Sequence, residues 1–179
     1  HFEQFVATND EWIRTRTGIT TRHHAEKGVG TSTLATAAAR ECLERRGIAA
    51  SEIDLIIVAT ITPDMVFPAT ACILQEKLKA RKTWGFDISA ACAGYCHGIS
   101  LASDMVRTGT ARNVLVVGVE RLSDFTSLDD RGTAFIRIHQ RGKQPAAGVE
   151  VTARVTDAND DRRQARRAHG PARRAIPSS

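Results

Sequence analysis

Residues 54–60 read Asp54-Leu55-Ile56-Ile57-Val58-Ala59-Thr60, an unbroken aliphatic run closed by a polar residue at each end. A strand with one wet face alternates apolar and polar residues, whereas a run without alternation marks a strand covered on both faces. Working outward, similar segments recur at residues 83–89 (TWGFDIS) and 113–120 (NVLVVGVE). Two helical stretches separate them. Pro68 can open one that runs to about Ala80, because the N–H it lacks needs no partner in a first helical turn. Residues 92–108 form the other, with Gly109 after it. Strand–helix–strand–helix–strand at this spacing predicts an α/β fold with right-handed crossovers, its largely parallel sheet covered by packed helices.

Upstream, Thr31 and Ser32 are good N-caps for a helix over residues 33–46. There Leu34, Ala35, Ala38, Cys42 and Leu43 recur at three- and four-residue spacing as a core stripe, and Gly47 stops the helix. Residues 1–18 read as a helical turn running into a polar loop. That segment opens in mid-element with no methionine before it, so a further N-terminal piece is expected. Downstream, the pattern fails after Phe135. Residues 151–179 hold only Val151, Val155 and Ile176 as large aliphatics, with Arg-Arg pairs at 162–163, 166–167 and 173–174. Such a segment buries too little apolar surface to offset its ordering entropy, so a disordered tail is expected. The boundaries are therefore 1–135 for an organised body and 136–179 for an Arg/Ala/Pro-rich tail.

The 179 residues suit one domain, and 42% hydrophobic with 25% charged residues is a globular balance. The net charge of +5 lies almost wholly in the tail: residues 151–179 carry +4, the first 150 only +1. The body thus presents no field calling for a specific nucleic acid, although the Arg pairs can attract polyanions without base preference. No apolar run reaches the ~18–20 residues that span a bilayer. No membrane association is expected. Four cysteines in a chain this apolar read as thiols of a reduced, cytoplasmic protein rather than as disulfide staples.

Chemistry concentrates in residues 86–98 (FDISAACAGYCHG). A buried strand ends in the small residues Ser89, Ala90 and Ala91; Cys92 follows, then Ala93 and Gly94 as a helix begins. Small residues permit a sharp strand-to-helix turn that projects one side chain. The helix N-terminus brings unpaired N–H groups and partial positive charge, which favour a thiolate and an acyl oxyanion. Two readings of Cys92 stay open on these grounds: a nucleophile, or a small buried hydrophobe. Cys96 and His97 lack a second ligand pair, so no metal site is assigned, and Cys42 and Cys72 read as core. A second stretch, residues 9–19 (NDEWIRTRTGI), sets Trp12 among Arg14, Arg16, Thr8, Thr15 and Thr17. An exposed tryptophan beside arginine can hold a planar base and phosphates, but a buried Trp12 with solvated arginines is the commoner arrangement.

Taken together, these stretches resemble the β-ketoacyl-acyl carrier protein synthase III family of thiolase-like condensing enzymes. The carrying motifs are DEWIRTRTGI with Arg22-His23, IDLIIVATITPD with FPATAC, FDISAACAGY, and VVGVERLS with DDRGT at 129–133. They stand in family order over about residues 3–133. The resemblance implies the N-terminal half of a thiolase-like fold, with βαβαβ order. It implies an acyltransferase that starts type II fatty acid synthesis. Acyl-CoA loads Cys92, and malonyl-acyl carrier protein is then decarboxylated and condensed with the acyl group. Acyl-CoA is a substrate here, and no cofactor is implied. Trp12 and Arg131 would stack on the CoA adenine, Thr8 and Arg16 would lie near the CoA head group, and Phe67 would reach a partner's acyl pocket across a homodimer interface. This overturns the packing reading of Trp12. Relatives that start polyketides share much of the motif set. The chain departs from the pattern after Thr133, where AFIRIHQRGKQPAAGVE replaces the family's Gly-Asp-Gly-Ala-Gly-like turn. The family's catalytic His and Asn belong to the second half of the fold, and neither His139 nor His169 sits in a matching motif. The expectation is therefore a truncated synthase with an out-of-frame or unrelated tail, inactive in condensation alone, with a non-catalytic remnant as the alternative.

Overall fold

The computed structural model describes residues 4, 7–18, 20–21 and 25–122 in full and the backbone of residues 152–157. Leu55–Ala59 forms β1, and all five of its residues are buried. Trp84–Ile88 is β2 and Asn113–Gly118 is β3. Both pair with β1 in parallel, Leu55 lying opposite Trp84 on one side and Val114 on the other. Each strand is two residues shorter than the sequence reading, although Asp54 and Thr60 at the ends of β1 still bond Asn113 O and Ile88 O across to the neighbouring strands. The fourth strand, β4 (Thr152–Asp157), runs antiparallel along β3, giving the order β2-β1-β3-β4. The disorder expected over residues 151–179 thus does not hold for these six. Their backbone completes a ladder on the free edge of β3, and ladder hydrogen bonds require no apolar run. The remainder of the tail, Arg131, His139 and His169 lie outside the described residues.

Helix α2 (Thr31–Arg46) and helix α3 (Thr70–Leu78) cover one face of the sheet, and α4 (Gly94–Arg107) covers the other. The faces divide β1 by parity. Ile56 and Val58 pack with Leu115, Val117, Ala35, Ala39, Leu43 and Leu74, while Leu55 and Ile57 pack with Val114, Val116, Ala102 and Val106. This two-sided burial explains why β1 reads as an unbroken aliphatic run. Each such side chain contributes about 1.5–3 kcal/mol on leaving water. The β1–α3–β2 crossover moves outward and the β2–α4–β3 crossover moves back over β1. Right-handedness then puts α3 and α4 on opposite faces.

Three local details differ from the sequence reading. Residues 10–17 form a helix, α1 (Asp10–Thr17), where a loop was expected: the Asn9 side chain accepts from Trp12 N–H at 2.7 Å, and Gly18 closes the helix at φ 68°. Helix α2 starts at Thr31, so Thr31 and Ser32 lie inside its first turn. Asp64 serves as the remote cap, accepting from Ser32 N–H at 3.2 Å and from its hydroxyl. Cys72 is exposed on α3 rather than in the core, because Thr70, Ala71, Leu74 and Leu78 form the face that meets the sheet. No helix of the described residues is long and apolar enough to cross a membrane.

Candidate active site

The connections after β1 and β2 leave the same end of adjacent parallel strands, the usual place for a site in an open α/β sheet. The β1 connection begins where Thr60 N–H bonds Ile88 O at 3.1 Å, tying it to the last residue of β2. From Ile88 the chain passes Ser89 and Ala90 and enters a short 3-10 turn, Ala91–Ala93, which runs directly into α4. Ala91 stands at φ 45°, a left-handed conformation that costs an L residue roughly 1–2 kcal/mol. Strain of this kind persists where the surroundings force it, commonly at functional sites. Here the force is the seating of α4. A Cβ on Gly94 would lie 3.2 Å from Ala59 Cβ, and one on Gly98 would lie 3.0 Å from Val116 Cγ1. The helix therefore comes close to β1 and β3 from its first residue, and the turn must reverse the chain within three residues.

The result puts Cys92 on the outside of the turn, exposed, with a free thiol. Of the two readings the sequence left open, the buried hydrophobe does not fit this geometry. The first turn of α4 has no side-chain cap at Ala93; instead the 3-10 turn runs into it, with Ala93 N–H on Ala90 O at 3.2 Å and Gly94 N–H on Ala91 O, so what the helix start offers the thiol is the positive end of its dipole. Cys96 and His97 are also exposed, one turn further on. Among the described residues no group of three or more His, Cys, Asp or Glu could hold a metal ion.

The other expected site residues lie on separate elements. Phe67 belongs to the β1–α3 connection and is 87% exposed, beside Val66 at 99% and Met65 at 50%. Trp12 and Arg16 share one face of α1, with the guanidinium carbon 4.6 Å from the Trp12 ring centroid. Trp12 is half-buried and Ile13 is the buried residue of that helix, so the indole is neither a core anchor nor fully free. Arg14 bonds Asp10 at 2.7 Å. Thr8 lies two residues before α1, and its hydroxyl is buried with no hydrogen-bond partner among the described residues.

Sequence reasoning missed the acidic residues that fix these connections. Glu120, just past β3, accepts from Ile61 N–H at 2.9 Å and from the Thr62 hydroxyl at 2.8 Å. Asp87, inside β2, accepts from Thr70 N–H at 2.7 Å and Ala71 N–H at 2.8 Å. The available signal was a carboxylate within or beside an apolar strand, where aspartate and glutamate are depleted.

Known proteins match this arrangement. The family model for 3-oxoacyl-[acyl-carrier-protein] synthase III matches residues 86–137. The β-ketoacyl-[acyl-carrier-protein] synthase III of Bacillus pumilus is 52% identical over 134 residues, which is 75% of this chain and 43% of that protein. That of Clostridium tetani is 52% identical over 133 residues, covering 74% and 40%. Among solved structures, the 3-oxoacyl-[acyl-carrier-protein] synthase III of Aquifex aeolicus superposes with TM-score 0.70 at 45% identity, over 74% of this chain and 42% of that one. The priming β-ketosynthase of the R1128 polyketide biosynthetic pathway superposes with TM-score 0.72 at 41% identity, over 75% and 40%. The chain spans about two fifths of the length of the curated relatives it matches.

Proposed function

Since this chain carries a thiolase-like segment of the β-ketoacyl-[acyl-carrier-protein] synthase III family, we propose that it provides the nucleophilic half of an acyl-transferring condensing site. The observation that carries this reading is the exposed Cys92 thiol on a strained turn, at the uncapped start of α4. In the proposed step the Cys92 sulfur attacks the thioester carbonyl of an acyl-CoA. A new carbon–sulfur bond forms, the bond to CoA sulfur breaks, and CoA leaves as its thiol with one proton. The positive end of the α4 dipole favours the oxyanion that forms between these events. Thr8, Trp12, Arg16 and Arg131 are the proposed CoA contacts; the half-buried indole with a guanidinium 4.6 Å from it supports a base-and-phosphate role for Trp12 and Arg16. The apolar, exposed tip at Phe67 supports contact with an acyl chain or with a second copy of the chain, as a homodimer.

The acylated cysteine would then condense with malonyl-acyl carrier protein, releasing carbon dioxide, in the cytoplasm. The 179-residue polypeptide is expected to stop at acylation, since it matches about two fifths of its relatives. The test is intact mass after incubation with a panel of acyl-CoAs. One acyl adduct per chain, absent in Cys92→Ala, is the expected result; a folded chain that takes no acyl group, or keeps its adduct in that variant, overturns the reading. β-Ketoacyl product from this polypeptide alone would refute the limit to acylation. A second reading, that the acyl group primes polyketide rather than fatty acid synthesis, is favoured by the R1128 neighbour, and the acyl preference in the same panel bears on it.

A further inference from the structure

The rows of β1 and β3 that face α4 grow smaller toward the end where Cys92 lies. On β1 the row is Leu55, Ile57 and, by the same alternation, Ala59; on β3 it is Val114, Val116 and Gly118. Register sets Ala59 directly opposite Gly118, so the last rung carries a single methyl group. Two consecutive residues at the start of α4 occupy the space above it. A Cβ on Gly94 would lie 3.2 Å from Ala59 Cβ, and a Cβ on Gly118 would lie 3.1 Å from Tyr95 Cδ2, 3.3 Å from Tyr95 Cβ and 3.4 Å from Tyr95 Cγ. Gly118 is extended within β3, so close approach rather than backbone conformation requires glycine there. One rung back, Gly98 meets Val116 and Ile57, again with no side chain of its own. Gly94 and Gly98 thus bring the helix close, while the half-buried Tyr95 ring is the side chain that braces its first turn on β3. Gly94 bears on β1 and Tyr95 on β3, and contact with two strands resists rotation of the helix about its own axis. Cys92 stands two residues before Gly94 and three before Tyr95, so a rotation at this point would turn the sulfur.

We propose that Tyr95 is a positioning residue for the thiol: its ring, seated on the bare backbone of Gly118, fixes the rotation of α4 at its start and thereby the direction in which Cys92 points. The inference rests on the acyl-transfer reading above and names the contact that aims the sulfur. A thioester carbonyl must meet the sulfur along a narrow range of directions. A small alkylating reagent approaches an exposed thiol from many, and its rate follows the thiolate fraction and access. The seat therefore governs acyl loading far more than it governs alkylation.

The test uses the full chain. Gly118→Ala pushes the ring by a few tenths of an ångström, Tyr95→Phe keeps a ring, and Tyr95→Ala removes it. Tyr95 is the chain's single tyrosine, so fluorotyrosine labelling gives one fluorine NMR signal. That signal is expected to move in Gly118→Ala and to stay in place in Cys72→Ser, a change on α3 across the sheet. Misplacement by ~1 Å costs about 100-fold, so the rate of acyl loading from acyl-CoA onto Cys92 is expected to fall roughly fourfold in Gly118→Ala. It is expected to fall about tenfold or more in Tyr95→Ala and to stay within about twofold of the parent in Tyr95→Phe. The iodoacetamide rate at Cys92, read by peptide mapping, is expected to stay within about twofold throughout. In Gly118→Ala combined with Tyr95→Ala, loading is expected to equal that of Tyr95→Ala alone, since the added methyl acts only through the ring. Equal falls in loading and alkylation would make the contact merely structural and overturn the inference. Losses that multiply in the double variant overturn it too, as does a Tyr95→Phe loss as deep as that of Tyr95→Ala. Should Tyr95→Ala fail to fold, the loading and alkylation rates of Gly118→Ala decide alone. If the parent takes no acyl group, the acyl-transfer reading has failed and this inference with it. An unmoved fluorine signal in Gly118→Ala rejects the seat whether or not the parent is acylated.

Discussion

After β1, the connection over residues 60–69 is held by polar bonds from outside itself. Glu120 takes Ile61 N–H and the Thr62 hydroxyl, Asp64 reaches back to Ser32, and Asp87 receives the helix that follows. The neighbouring connection after β2, over residues 89–93, has small side chains except for Cys92, and its shape comes from a left-handed Ala91 and from α4 pressed on the sheet at Gly94 and Gly98. The first is anchored by charge and displays large apolar groups at Met65, Val66 and Phe67. The second is wedged by packing and displays one sulfur. These neighbouring segments are therefore tunable separately. Charged anchors can be weakened one bond at a time, whereas a wedged turn either fits or fails.

The strongest test of that contrast is Glu120→Ala. It leaves Ile61 N–H and the Thr62 hydroxyl without their acceptor, and unfolding in urea should show a loss of roughly 2–4 kcal/mol. The Cys92 alkylation rate of the still-folded fraction should be unchanged; a rate that falls with stability would show the two connections to be one unit. Next comes the wedge itself. Ala91→Val places a β-branched residue at φ 45° and should cost about 1–3 kcal/mol in urea midpoint experiments, together with slower alkylation at Cys92. Ala91→Gly relieves the strain but frees the unfolded chain, so its stability should stay within about 1 kcal/mol of the parent. If valine is tolerated as well as glycine, the turn is not wedged.

The smallest expected effect lies at the surface beyond both connections. A hydrogen bond from Lys79, and then its charge, hold the Glu76 carboxyl below the usual carboxylate range on the exposed side of α3. A lowered folded value means that any stabilisation is present above the ordinary carboxylate range and is lost as pH falls through the lowered one. Because the pair is exposed, Glu76→Gln should leave the midpoint at neutral pH unmoved, within error, in low and high salt. A salt-dependent loss would show that α3 depends on charge along its outer face as well as at its Asp87 cap.

The aliphatic runs at β1 and β3, the helical stripes and the stop at Gly47 were legible because each is a short-range signal: an unalternating run for a strand covered on both faces, a 3.6-residue stripe for a helix, a glycine for its end. Cys92 was legible for the same reason: small residues, a thiol and a helix start are consecutive. Helix α1 was misread as loop because its eight residues carry a single buried side chain, Ile13, too few for a stripe. The strand at Thr152–Asp157 escaped notice because it has one large aliphatic residue, Val155, and its place depends on a vacant edge of β3 some forty residues earlier.

The amino-acid order alone shows that β1 to β3 extend, that α2 to α4 coil, and which sulfur stands at a helix start. These depend on neighbours within a turn or a strand length. Packing alone turns Cys92 outward, strains Ala91, makes Asp64 and Asp87 remote helix caps and makes Glu120 the acceptor that holds the start of the β1–α3 connection. Those outcomes require a carboxylate and its N–H partners to meet across 16 to 59 residues of chain, a meeting that exists only once the sheet and its helices have packed.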